Sequence, residues 1–156
     1  MNKILGIGLP RTGTTSLGQA LILLGIPNQH HCILYDKKQK KHPTPTHSYV
    51  DNSFYQYYRT TLYNTRFTNN LFILTTRNKT DWENSILRFD IPNDMPNVDN
   101  YERHIKSLFK HIDKESHLLT INIFEDDNCF KKVAAFIGTD CDQDHFPHVN
   151  KEKLSL

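Results

Sequence analysis

Apolar residues along this chain fall into short runs that alternate between strand-like and helix-like patterning. Ile4-Leu5-Gly6-Ile7 is a continuous apolar run, and Lys3 to Gly8 reads as a strand. Thr14 to Gly25 carries a helical pattern that Gly25 ends just before Pro27. Cys32 to Leu34 reads as a short second strand, and Asp36 to Ser48, lysine-rich with Pro43 and Pro45, as an exposed loop. Aromatic residues at near-helical spacing predict a helix over Phe54 to Tyr63, and Leu71 to Thr76 is a strongly apolar strand. Thr80-Asp81-Trp82-Glu83 has the form of a capping box and predicts a helix from Thr80 to about Phe89. Tyr101, Ile105, Leu108, Phe109 and Ile112 share one helical face, which predicts an amphipathic helix from Asn100 to Lys114. Leu118 to Ile123 reads as a last strand and Asn128 to Ile137 as a last helix, ended by Gly138. Strands alternating with helices predict an α/β fold with a central, mostly parallel sheet flanked by helices. No internal repeat or linker divides residues 1–156, so a single domain is expected.

The segment between the first strand and the first helix reads Gly8-Leu-Pro-Arg-Thr-Gly-Thr-Thr-Ser16. Gly8 and Gly13 stand at the spacing of a phosphate-binding loop, G-x-x-x-x-G-K-[ST], with Thr15 at the Ser/Thr position. This context predicts a P-loop NTPase-like three-layer arrangement. Thr14 occupies the position of the usual lysine, and the nearest cation is Arg11, inside the loop. A site that hydrolyses a triphosphate also needs an acid after a second strand to hold magnesium. Here that strand ends in Thr76-Arg77, a cation where an acid would stand. The acids Glu125, Asp126 and Asp127 follow the last strand and are expected to open the last helix, where negative charge suits the dipole. Backbone N–H groups from Arg11 to Thr15, with Arg11, Thr14 and Thr15 as directional donors, are expected to cradle a phosphate-like anion.

Composition narrows the picture in a few places. A net charge of +2 gives no electrostatic argument for nucleic acid, and Lys37-Lys38-Gln39-Lys40-Lys41 is read as a solvated loop. Three cysteines, with no C-x-x-C pair, suit a reducing compartment. No secretory leader is visible, and Ala20 to Ile26 is far shorter than the roughly 20 residues that span a bilayer. Asn78-Lys79-Thr80 fits a glycosylation sequon but falls in the expected ligand site, so a cytoplasmic protein without a membrane partner is expected. Nine histidines lack the spacing and partners of a zinc site, and no metal is expected.

Arg77, at the end of a strand, and Ser85, on the second turn of the next helix, form the other informative pair. Together with the loop, they resemble the sulfotransferase family. The loop through Ser16-Leu-Gly-Gln-Ala-Leu21 is similar to that of a P-loop subgroup of the family. Asp51 to Phe54, Phe72-Ile73-Leu74-Thr75-Thr76-Arg77 with Trp82 and Ser85, and Phe146-Pro147-His148-Val149-Asn150 follow in that subgroup's order. The resemblance implies a sulfotransferase that moves a sulfuryl group from 3′-phosphoadenylyl sulfate to a hydroxyl or amine. The product would be 3′,5′-adenosine bisphosphate. The first loop (Pro10, Arg11, Thr12, Gly13, Thr14, Thr15 and Ser16) would bind the 5′-phosphosulfate, and Arg77 with Ser85 the 3′-phosphate. Arg11 and Thr14 would stabilise the charge that develops during transfer. The acceptor would be a small molecule or carbohydrate. Its general base is expected among Asp51 and His31, ranked first, and His30 and His47. Two departures from the family stand out: the chain is shorter than most members, and it lacks their glycine-rich C-terminal segment. A P-loop small-molecule kinase and a non-catalytic adenosine-bisphosphate-binding module are the competing readings.

Overall fold

The computed structural model describes residues 4–30, 48–50, 71–88, 103, 106 and 117–148. Its elements, in chain order, are β1 (Ile4–Gly6), α1 (Thr14–Leu23), β2 (Asn28–His30) and β3 (Ser48–Val50). They continue with β4 (Leu71–Thr75), α2 (Lys79–Leu87), β5 (Leu118–Ile121) and α3 (Cys129–Ile137). The strands form one five-stranded sheet in the order β2-β3-β1-β4-β5, and every neighbouring pair is parallel. An α/β fold with a parallel sheet and flanking helices is thus the observed architecture.

The central strands are apolar throughout because both faces of a parallel sheet are covered. All three residues of β1 are buried, as are four of the five in β4. Leu17, Ala20 and Leu21, spaced to share one face of α1, pack with Ile4, Ile73 and Ile121 of the sheet. Phe130 and Val133 of α3 join the same cluster, so α1 and α3 cover one face of the sheet. Leu5 and Leu74 alternate to the opposite face and are also fully buried. Cys129 lies in the core, where burial pushes its thiol up to about 12, so it is a protonated packing residue at neutral pH.

The chain leaves β1 toward the β2 edge and β4 toward the β5 edge, which makes the gap between β1 and β4 the topological switch point. Ligands of open α/β sheets bind at the carboxyl ends of strands at such a point. The loop after β1 and the turn after β4 both open there.

Most helix and strand bounds fall within two residues of the sequence reading. α1 ends at Gly25, whose φ of 76° is the left-handed conformation that glycine adopts without strain. The start of α2 requires a correction. Its N-cap is Asn78, whose side chain accepts from the N–H of Thr80 at 3.0 Å, so the Thr80-to-Glu83 capping box does not open this helix. Asparagine is among the best N-caps, and the chain turns helical at Lys79, one residue before the threonine. β2 and β3 were not anticipated: β2 precedes the expected strand, and β3 begins at the last residue assigned to the exposed loop. The strand at 32–34 and the helix at 54–63 lie outside the described residues. Within the helix expected at 100–114, Arg103 and Lys106 are helical.

Candidate functional site

The loop at the end of β1 needs both its glycines. A Cβ on Gly8 would lie 1.9 Å from Oγ1 of Thr75 and 2.9 Å from the Thr75 carbonyl oxygen. Gly8 therefore lets the loop start in direct contact with β4. Gly13, the N-cap of α1, has φ 95°, and a Cβ there would come within 2.2 Å of the Ile123 side chain. Only glycine combines that backbone with that packing.

Arg11 is the one non-glycine residue with positive φ among those described, at 68°. Such a conformation costs about 1–3 kcal/mol and persists only where its surroundings impose it. The surroundings here are specific. Trp82, 1% exposed, donates its indole N–H to the carbonyl of Pro10 at 2.8 Å. Arg77 donates from Nη1 to the carbonyl of Arg11 at 3.3 Å, and Arg11 Nε donates to Oγ of the buried Ser85 at 3.1 Å. Trp82 and Ser85 stand three residues apart and so share one face of α2, and they are its buried residues. That face holds residues 10 and 11 of the loop.

Thr12 is fully buried and serves the loop's shape. Its N–H and its hydroxyl both donate to the Leu9 carbonyl, at 3.3 and 2.6 Å. The one hydroxyl proton of Thr12 is thereby committed, so in the 2.8 Å contact between the two threonines it is Thr75 that donates. Both donors of Thr12 are thus spent on the loop's own backbone. Pro10 likewise has no N–H to offer, and its carbonyl goes to Trp82.

Past Gly13 the loop becomes α1, whose first turn has no side-chain cap and no acidic residue. Thr14 and Ser16 are buried at this helix start, and Thr15 is half-buried. The amides of a first turn are the groups that bind phosphate at helix N-termini. The cradle formed by Gly8 and Gly13, the helix start and two arginines fits a phosphorylated anion.

The Arg77 guanidinium also lies 4.3 Å from the centroid of the Phe124 ring, just beyond β5. The Phe124 ring also stands 6.4 Å, between centroids, from the ring of His148. The His148 segment is pinned by Phe146, which is buried edge-on against Phe130 at 5.9 Å. Sequence reasoning singled out neither Phe124 nor the anchoring role of Trp82. The apolar-to-acidic step Ile123-Phe124-Glu125 at a strand end was the available signal for the former.

The structure brings Arg11, Arg77 and Ser85 together with Thr14, Thr15 and Ser16 at the switch point. The proposed bases Asp51, His31 and His47 lie outside the described residues, and for His30 only its backbone place in β2 is described. The acids after β5 stand in the turn ahead of α3, whose own first turn, unlike the expectation, holds no acidic residue. Asp126 accepts from the Asn128 N–H at 3.0 Å and pairs with Lys132, which holds its carboxyl below the usual carboxylate range. Among the described residues no cluster of His, Cys, Asp and Glu is arranged to hold a metal ion. Among them, too, no helix is long and apolar enough to cross a membrane.

Comparison with known proteins adds one finding. The model of a family described as a sulfotransferase domain matches residues 3–95, the stretch holding β1 to β4, the loop, Arg77 and Ser85. No curated protein matches the chain.

Proposed function

The chain belongs to the sulfotransferase domain family, and from that premise we propose that its donor is 3′-phosphoadenylyl sulfate. The sulfuryl group passes to a hydroxyl or amine of a small-molecule or carbohydrate acceptor. The observation that carries this reading is the hydrogen-bonded chain from Arg77 through the Arg11 carbonyl, and from Arg11 Nε to Ser85. It joins the loop to the arginine–serine pair in one continuous site. A mononucleotide triphosphate has its charge at one end. A donor with a phosphosulfate at 5′ and a phosphate at 3′ needs two anion sites on one frame.

The donor supplies an activated sulfuryl group whose bond to a phosphate oxygen breaks as the acceptor's oxygen or nitrogen bonds to sulfur. The leaving bisphosphate carries off the electron pair, and the acceptor's proton passes to a base. The chain's own residues do the rest. The α1 amides and Thr14 donate toward the 5′ group, where charge grows during transfer. Arg11 supplies a guanidinium at the same end, fixed at a strained backbone position by Trp82, Ser85 and Arg77. Ser85 accepts from Arg11 and keeps its own proton to donate to the 3′-phosphate. Arg77, stacked on Phe124, meets that phosphate as a cation. The acceptor's base is to be sought among Asp51, His31, His30 and His47. A cytoplasmic setting is part of the same proposal.

The test is thermal denaturation in the presence of nucleotides. A ligand at 100 times its Kd stabilises by about 2.7 kcal/mol, which for a chain of this size raises Tm by roughly 5–10 °C. 3′,5′-Adenosine bisphosphate without magnesium is expected to give that rise, and ATP with magnesium much less. Equal or reversed responses overturn the donor assignment in favour of a magnesium-dependent kinase.

A further inference from the structure

Trp82 is the only tryptophan in the chain, and it is 1% exposed. Its burial alone would make it a packing residue of α2. Its indole N–H, however, is spent on the Pro10 carbonyl, at 2.8 Å and 72 positions away in sequence. That carbonyl belongs to the peptide that leads into Arg11, the residue held at φ 68°. In a trans peptide the carbonyl and the following N–H point in opposite directions, and no described peptide is cis. Drawing the Pro10 carbonyl onto α2 therefore aims the Arg11 N–H away from α2. The plane of that peptide turns about ψ of Pro10 and φ of Arg11, and the indole contact is what holds it in place.

We infer that Trp82 is a positioning residue: its N–H sets the Pro10–Arg11 peptide, and through it the left-handed turn that presents Arg11 and the loop amides to an anion. The inference rests on the reading of the loop as the anion site but not on the identity of the nucleotide. Ser85, three residues on, accepts from Arg11 Nε on the same helix face. α2 thus holds the loop at a backbone point and a side-chain point, and an anion entering the loop must be felt at the indole.

The lone indole makes the test direct, because the wild-type 1H–15N spectrum holds one indole cross-peak. Two probes are used, inorganic pyrophosphate and 3′,5′-adenosine bisphosphate, with calorimetric affinities for wild type and Trp82→Phe. The indole cross-peak is expected to shift on addition of either probe. Trp82→Phe keeps an aromatic ring, smaller than the indole, and loses the donor; it is expected to weaken both by about tenfold and to shrink the ligand-induced rise in Tm. A variant that loses Tm when unliganded yet binds both probes as wild type does would show that Trp82 only fills space, and would overturn the inference. If the variant does not fold, the wild-type cross-peak decides: one unmoved at saturating pyrophosphate overturns the inference, and a shift supports it. Pyrophosphate that moves the cross-peak while the bisphosphate does not bind defeats the donor assignment and leaves the role of Trp82 standing. Failure of both probes to bind overturns both.

Discussion

Gly8→Ala tests whether the loop truly starts against β4. The added Cβ would meet Thr75 Oγ1 at 1.9 Å, Thr12 Oγ1 at 2.7 Å and the Thr75 carbonyl oxygen at 2.9 Å, all inside the 3.0 Å that real Cβ contacts essentially never breach. Thr75 is β-branched, buried and hydrogen-bonded to Thr12 through its Oγ1, so a rotamer change cannot simply clear the way. Overpacking of this kind costs about 1–3 kcal/mol, and the backbone oxygen in the list places Gly8→Ala at the upper end. Thr75→Ala alone costs about 1 kcal/mol for the hydroxyl it donates to Thr12, with a further small loss for its methyl. The double variant removes the 1.9 Å clash and keeps those at 2.7 and 2.9 Å, so it should be less destabilised than the sum of the singles by about 1 kcal/mol or more. Denaturant unfolding followed by circular dichroism gives the four stabilities of the cycle. Strict additivity, or a Gly8→Ala variant within about 0.5 kcal/mol of wild type, would refute the close approach of loop and strand.

Arg77→Ala separates the two ends of the proposed donor: it should weaken 3′,5′-adenosine bisphosphate far more than adenosine 5′-phosphate in calorimetric titration, and similar losses for both would remove Arg77 from the 3′-phosphate site. Asp126→Asn tests the pair ahead of α3. The folded carboxyl titrates below its ordinary 3.8, so its contribution is present above that value and is lost as the pH falls through the lowered one. Wild type should therefore exceed Asp126→Asn in urea-unfolding stability near neutrality, and the two curves should converge in acid.

What the sequence made legible was what local pattern dictates. The apolar runs at 4–7 and 71–76 are buried on both faces and cannot be read as anything but central strands. The glycines at 8, 13, 25 and 138 announce turns that the backbone confirms, the last three by positive φ. β2 and β3 escaped because Asn28-Gln29-His30 and Ser48-Tyr49-Val50 are polar or too short to show a period. Their strand state comes from pairing with each other and with β1, which is a tertiary effect. The N-cap of α2 escaped because Asn78 and Thr80 are both good caps two residues apart, and the choice is made by how the chain leaves β4. In the site, the loop and the Arg77–Ser85 spacing were visible. The direction of the Thr12 hydroxyl was not legible: the same residue type could face an anion or, as here, the Leu9 carbonyl.

The departure of this loop from the usual lysine pattern has a geometric reason once Arg11 is placed. A lysine ammonium is one nitrogen, and a partner such as Ser85 would hold the whole charge at that partner. A guanidinium is a fork: Nε lies on Ser85 at 3.1 Å, and the charge is shared with two further nitrogens. The left-handed backbone at Arg11 then follows from the same need, because the carbonyl must turn toward Arg77 and the preceding one toward Trp82. Each of these contacts comes from β4's end or from α2, none from α1. The loop's shape is therefore imposed by the half of the fold that carries Arg77 and Ser85. A change at either of those residues acts on the loop as well as on its own ligand contact, so Arg77→Ala should cost adenosine 5′-phosphate a small part of its affinity and the bisphosphate much more.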